Sequence, residues 1–336
     1  MGTPRSRTHA TSLDVAKLAG LSRTTVSQIL NGNDARFPQE TRDRVTAAAA
    51  ELRYRPWRAG RALVSGISDL IVIVVPDITF GSRLQETVER FAAESENLGL
   101  NAVVRYAGSD LTATVMTILD LRPAAVYHLS AFDTETVAQL EAAGTKVFPH
   151  PGADQNENSR FDRMVGRMQT EELLRVRERK LVYAALADDR VGPSGPLRGQ
   201  GVAEAAADAG VPAPEVVPVP LDLPGAVKAL ESQFAHPVGP IGVACYNDEV
   251  AIAVLGAARG FHLNVPDQVA VVGMDRIDVG QLISPRLTTI AVNMPVLDAY
   301  FAAELSLLLG REQQLSAPDV TRHPESVVAL VPGESS

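Results

Sequence analysis

Hydrophobic positions in this chain follow two different periods. From Ser12 to Tyr54 they recur at spacings of three and four, as in helices lying against a small core. Three short helices are predicted there. Ser12 is placed to cap the first, with Leu13, Ala16 and Leu18 as its apolar positions and Asp14 in its first turn. Gly20 supplies the break, because glycine turns where other residues strain. Ser22 is placed to cap the second helix, Arg23–Leu30. Its Val26, Ile29 and Leu30 share one face, while Arg23, Thr24, Ser27 and Gln28 take the other. Pro38 suits the first turn of a third helix, in which Val45, Ala48, Ala49 and Leu52 close the core and Tyr54 packs at the end. Two short helices about a glycine turn, with a polar outer face on the second, make a helix-turn-helix. The plainer alternative is a three-helix bundle with a solvated face.

From Asp69 onward the pattern alternates strand and helix. The β-branched run Leu70–Val75 reads as a strand buried on both faces. Helices are predicted over 82–98, 112–121 and 134–143, with strands at NAVVRY, AAVYHL and TKVFP between and after them. The polar stretch HPGADQNEN, residues 150–158, reads as a crossover between two lobes. A helix over 160–177 follows, then LVYAAL, a helix over 198–209, and strands at EVVPV, IGVACY and VAVVGMD. LTTIAV is predicted to return the chain to the first lobe, before a helix over 296–309 and the late strand SVVALV. Serial βαβ units imply parallel sheets with right-handed crossovers. The fold class is therefore an N-terminal all-α helix-turn-helix headpiece plus an α/β core of two parallel-sheet lobes.

The stretch DVAKLAGLSRTTVSQILNG…ETRDRV…LRYRP closely resembles the headpiece of the lactose/galactose repressor (LacI/GalR) family. The resemblance implies that Arg23, Thr24 and Gln28 read the major groove, with Ser27 and Asn31 at phosphate-contacting positions. By groove chemistry Arg23 suits guanine, Gln28 adenine, and the Thr24 methyl thymine. Ser12, Ser22, Thr25, Tyr54 and Gly60 complete the DNA-facing set. The family also carries a hinge helix whose leucine wedges into the minor groove, and that leucine matches Leu63 in RPWRAGRAL. Trp57 stands where the family has asparagine, and Gly60 where it has alanine. Glycine in a helix costs roughly 1 kcal/mol relative to alanine, so the hinge orders less readily off DNA.

A weaker resemblance extends to the family's periplasmic-binding-protein-like core, through LRGQGVAEAAADAG, YNDEVAIAVLGAARG, VPDQVAVVGMD and SPRLTTI. It implies that Arg198, Asn247, Asp248 and Asp275 face an inter-lobe cleft and bind a small polar effector. The structural alternative is that Asn247 and Asp248 only cap the following helix. The first lobe departs from the pattern: PDITFGSRL offers only Phe80 as a wall, with Asp77 and Arg83 as further cleft candidates, and RERK replaces a Gly-His-Arg turn. The pocket is unusual or lost.

Charge sharpens this division. Residues 1–66 carry 11 Lys+Arg against 5 Asp+Glu, a balance of +6, and the remaining residues carry 20 against 35, a balance of −15. The basic end is an electrostatic footprint for DNA, and the acidic remainder faces away from it. With 336 residues, 46% of them hydrophobic, the chain can bury two or three domains. No apolar run is long enough to span a bilayer, and MGTPRSRTHATS lacks the apolar region of a secretory signal. The single cysteine, Cys245, reads as a small core residue. These features point to a bacterial cytoplasmic protein, drawn to the nucleoid through its operator.

Catalytic motifs fail on inspection. GPSGP around Ser194 lacks the second glycine of a nucleophile elbow, GQGVAE fails as a dinucleotide fingerprint, and the six histidines are scattered. The expectation is no enzyme, no cofactor and no metal. The chain reads as a transcriptional regulator, most simply a repressor. It binds a pseudo-palindromic double-stranded DNA operator as a homodimer, with no membrane partner, and is modulated by a small-molecule effector such as a carbohydrate. The alternatives are a ligand-independent DNA-binding regulator and a solute-binding protein. Expected bounds are 1–56 for the headpiece, 57–67 for the hinge and 68–336 for the core. Within the core, lobe 1 takes about 68–158 and 292–323, and lobe 2 about 159–291 and 324–336. VVALVPGESS carries no leucine heptads, which favours a dimer over a coiled-coil tetramer.

Overall fold

The computed structural model describes residues 10–30, 34–54, 68–77, 82–108, 110–129, 132–149, 154–176, 178–188, 194–310 and 327–336. It divides into two units, Met1–Asp69 and Leu70–Ser336.

The first unit packs α1 (Ser12–Ala19), α2 (Arg23–Leu30) and α3 (Gln39–Glu51) around Val15, Ala16, Ala19, Val26, Ile29, Val45, Ala48 and Ala49. Leu30, Leu52 and Tyr54 are partly buried against this cluster. Two expectations for α1 are corrected. Leu13 and Leu18 are 45% and 47% exposed, because the buried stripe runs through 15, 16 and 19 instead. The cap is Thr11 rather than Ser12. Its Oγ1 accepts the Asp14 N–H at 3.4 Å while the Asp14 carboxylate accepts the Thr11 N–H at 2.9 Å, a reciprocal capping box. Pro38 sits at the N-cap of α3, with φ −56° and ψ 149°, one residue before the first turn.

The second unit holds two sheets. The first is built from β1 (Leu70–Val75), β2 (Asn101–Tyr106), β3 (Ala125–His128) and β4 (Lys146–Phe148), all parallel in the order β2-β1-β3-β4. Strand periodicity sends Ile71 and Ile73 to one face and Val72 and Val74 to the other. The Ile face packs on Phe91 of α4 (Ser82–Asn97) and on Phe301 and Leu305 of α12 (Met294–Leu308). Phe91 and Phe301 stack with centroids 4.1 Å apart, and Arg90 meets Asp298 at 2.7 Å. The Val face packs on α5 (Thr112–Leu121) and α6 (Thr134–Ala142) through Val115, Ile118, Val137 and Leu140.

The second sheet has the order β10-β9-β8-β7-β5-β6. Its strands are β5 (Lys180–Leu186), β6 (Glu215–Val219), β7 (Ile241–Cys245), β8 (Val269–Met274), β9 (Thr288–Val292) and β10 (Val328–Val331). Only β10 runs antiparallel, against β9. One face is covered by α9 (Leu223–Phe234) and α10 (Asp248–Gly260), the other by α7 (Asp154–Leu174) and α8 (Ser194–Asp208). A short helix, α11 (Asp278–Leu282), joins β8 to β9.

Two segments differ from the sequence reading. The helix read over 160–177 begins earlier, at Asp154, inside the stretch read as a crossover. LTTIAV does not carry the chain back to the first sheet, because β9 is hydrogen-bonded to β8 in the second and α12 makes the return. A strand's own pattern cannot tell which of two sheets will accept it.

Helices α7 and α8 touch backbone to backbone. A Cβ on Gly166 would lie 2.2 Å from the Arg198 carbonyl oxygen, and one on Gly201 would lie 2.0 Å from that of Arg163. Near the other edge, the Ser335 hydroxyl donates to the Val271 carbonyl at 2.6 Å and accepts the Thr288 N–H at 2.9 Å, sealing the fork between β8 and β9. Among the described residues, no helix is long and apolar enough to cross a membrane.

Candidate nucleic-acid interface and effector cradle

The geometry of the first unit is set by short-range bonds. Gly20 ends α1 at φ +65°, in the left-handed region that glycine tolerates, and its N–H bonds back to Lys17. The Arg44 guanidinium reaches across from α3 to the Ala19 carbonyl at 2.5 Å and braces the turn. As predicted, Ser22 caps α2: its Oγ accepts the Thr25 N–H at 3.0 Å and lies 2.8 Å from Thr25 Oγ1.

With Val26 and Ile29 buried, the opposite side of α2 is left open. Ser22, Arg23, Thr24 and Ser27 are exposed, and Thr25 and Gln28 are half-buried. Arg23 Nε donates to Ser12 Oγ at 3.1 Å, so the candidate DNA-facing residues of α1 and α2 are neighbours. The Gln28 side-chain oxygen accepts from Arg36, an additional cation that sequence reasoning missed. Charged and polar donors thus crowd the amino end of a helix whose dipole already favours anions. Asn31, Trp57, Gly60 and Leu63 lie outside the described residues.

In the second unit, one buried cation organises the carboxyl ends of the second sheet. Arg198 is 9% exposed on α8. Its Nε donates to Asp162 Oδ1 of α7 at 2.8 Å, its Nη1 donates to the Tyr246 carbonyl, and its guanidinium lies 4.9 Å over the Tyr246 ring. Burial opposes the charge, but Asp162 and Asp275 more than offset it, and the guanidinium is held above its ordinary range. Tyr183 lies beneath, its hydroxyl donating to the Gly195 carbonyl at 2.8 Å and its own acidity suppressed by burial. Gly199 leaves room for that ring, since a Cβ there would sit 3.0 Å from it.

Asn247 caps α10, its side chain accepting the Val250 N–H at 3.0 Å. Asp248 corrects the reading from resemblance. It does not face a cleft: it is fully buried, accepting the Ile277 N–H at 2.8 Å and the Thr289 hydroxyl at 2.6 Å. Gly273 makes this possible, because a Cβ there would lie 2.1 Å from Asp248 Oδ1. Asp275, half-buried, sits in a strained turn with φ +105°, followed by Arg276 at +54°. Three successive amides pin that turn: Asp275 to the Ile290 carbonyl at 2.9 Å, Arg276 to Thr289 Oγ1 at 3.3 Å, and Ile277 to Asp248.

Asp162, Tyr183 and Tyr246 were missed from sequence. Tyr246 directly precedes the Asn-Asp pair, but nothing local marks Asp162, which meets Arg198 only through the close approach of α7 and α8. Gln169 was also missed. Its amide donates to the carbonyls of Cys245 at 2.8 Å and Gly273 at 3.0 Å, holding the splayed ends of β7 and β8. In the first sheet, Asp77 is exposed just past the end of β1. Phe80 and the Arg83 side chain lie outside the described residues. Among the described residues, no group of three or more His, Cys, Asp or Glu is placed to hold a metal ion.

Residues 11–56 match the family model described as bacterial regulatory proteins, lacI family, and residues 170–336 match a periplasmic binding protein-like domain. The chain is 27% identical over 328 residues to the HTH-type transcriptional regulator GalR of Escherichia coli K12, covering 93% of this chain and 92% of that protein. It is 27% identical over 300 residues to the HTH-type transcriptional repressor CytR of the same organism, covering 87% of each. Among solved structures, the lac repressor dimer bound to operator and the anti-inducer ONPF superposes with a TM-score of 0.77. That alignment has 21% identity and covers 97% of this chain and 99% of that one, a likeness of fold.

Proposed function

The chain belongs to the lacI family of bacterial regulatory proteins, and from that premise we propose that it represses transcription as a homodimer whose DNA affinity is set by a small polar effector. The observation that carries the reading is the exposed set Ser22, Arg23, Thr24 and Ser27 along the outer face of α2, within a segment matching the family's DNA-binding model.

Arg23, Thr24 and Gln28 read base edges, and Ser12, Ser22, Thr25, Ser27, Asn31 and Tyr54 position the phosphates. Leu63 wedges the centre of the operator, on a hinge that includes Gly60. One short recognition helix covers a half-site, so two copies are required. Apolar surface on the second lobe supports such pairing. Val279 and Leu282 of α11 are 55% and 84% exposed, and Leu223, 56% exposed, lies over Gly256 of α10. The protein acts in the cytoplasm, at the nucleoid, and carries out no catalysis.

The effector is a neutral polyhydroxylated metabolite. Arg198 spends its Nε and Nη1 on Asp162 and Tyr246, which leaves the remaining guanidinium edge with Asp275 and Asn247 to share donors and acceptors with hydroxyls. The departures of the first lobe favour a second reading, a regulator set by its abundance without a ligand.

Selection of random duplexes by the purified full-length protein, followed by sequencing, tests the central claim. Enrichment of an inverted repeat with a flexible central step is expected. Salt-sensitive binding with no enriched sequence would remove sequence-specific repression.

A further inference from the structure

Asp248 is a buried carboxylate whose neighbours have a second way to bond. Thr289 Oγ1 accepts the Arg276 N–H at 3.3 Å and lies 2.6 Å from Asp248 Oδ1 and 3.4 Å from the Ile290 carbonyl. The hydroxyl proton therefore has two destinations. While Asp248 is ionised, that proton goes to Oδ1, and the Ile277 N–H gains a charged acceptor at Oδ2. When a solvent proton binds Oδ1, the new O–H donates to Thr289 Oγ1, and the threonine proton swings to the Ile290 carbonyl. One proton is bound and none is released, and every polar group keeps a partner.

We infer that Asp248 is a proton-sensitive latch and a positioning residue for the turn that carries Asp275, gripping it when ionised and loosening it when protonated. The turn needs gripping, because Asp275 and Arg276 both hold positive φ. A hydrogen bond to an ionised acceptor is about twice as strong as its neutral counterpart, so protonation weakens the anchor at Ile277.

The surroundings favour the exchange. Burial pushes the Asp248 carboxyl up to about 7, against the pull of Thr289 and Ile277. The charged groups bearing on it are Asp275 from the turn and Glu249 from α10, both acidic, and both raise it further. Arg276 and Asp278, the other charged side chains of the turn and of α11, are exposed. Gly273 on β8 and Thr289 on β9 supply no charge.

The latch itself needs no effector; only its bearing on Asp275 as an effector contact rests on the proposed function. It is tested by carbon NMR of aspartate carboxyls in the full-length protein between about pH 5.5 and 8.5, with the Ile277 amide followed in parallel. One carboxyl is expected to titrate near 7, to vanish in Asp248→Asn, and to share its midpoint with the Ile277 amide. Thr289→Val keeps the carboxyl but removes a bond that favours ionisation, so the midpoint moves up. A carboxyl set titrating wholly below about pH 5.5, a silent Ile277 amide, or an unmoved midpoint in Thr289→Val overturns the latch.

Discussion

The two candidate sites are built on opposite plans. On α2, the bonds that shape the outer face join residues close in sequence: Ser22 with Thr25, Arg23 with Ser12, and Gln28 with Arg36. Their side chains remain largely at the surface, where phosphates and base edges can reach them. In the second lobe, Arg198 takes partners 36 and 48 residues away, and Asp248 takes one 41 residues away. The outer face of α2, proposed to meet DNA, is preorganised locally and keeps its donors open. Arg198, the group proposed to face a cleft, is oriented by distant chain and gives two of its five N–H donors to being held.

The hardest blow to this contrast falls on the cradle. Arg198→Ala leaves Asp162 buried without its cation, and such a loss costs roughly 3–5 kcal/mol. Urea denaturation should show that deficit. Operator affinity without effector should be unchanged under conditions where the variant is folded, and any effector response should be gone. A stability within about 1 kcal/mol of the parent would mean that the pair is hydrated and the cradle is open.

Next comes the pH dependence of stability. The native chain holds a proton on Asp248 up to about 7, whereas the unfolded chain releases it near the ordinary carboxyl value of 3.8. This group's contribution is therefore fully present below about pH 4, declines as pH rises, and is spent above 7, a span on the order of 4 kcal/mol. Comparing denaturation curves of the parent and Asp248→Asn across that range isolates it, and parallel profiles would discount the buried carboxyl.

Smaller effects belong to the headpiece. Arg23→Ala should weaken binding to the selected operator by about 1–3 kcal/mol and relax preference at one position, without altering the melting temperature. Equal loss on all duplexes would make Arg23 a phosphate contact. Thr11→Ala removes the capping box and should cost about 1 kcal/mol of headpiece stability by thermal melting, while Ser12→Ala costs little of it. The reverse ranking would restore Ser12 as the cap.

The same contrast explains what the sequence made legible. The α2 cap and its outer residues follow from spacing alone, and so do the parallel sheets, because each strand's pattern is its own. In α1 the helical period was visible, but its phase was set by α2 and α3, which turned Leu13 and Leu18 outward. Asp162 and Asp248 were beyond reach or misassigned because their partners, Arg198, Thr289 and Ile277, lie across helix crossings and sheet forks. The two glycines that permit the α7–α8 crossing look like ordinary helix interruptions until the opposing carbonyls are seen.

The discontinuous core has a consequence for the order in which the protein comes into being at the ribosome. The headpiece cluster is complete once Tyr54 has been made. The first sheet must wait for Phe301 and Leu305 to cover Ile71 and Ile73, and the second waits for β10 and Ser335. At bacterial elongation rates of about 5–20 residues per second, the gap is on the order of half a minute. For that interval the nascent chain carries a packed headpiece and an unfinished core.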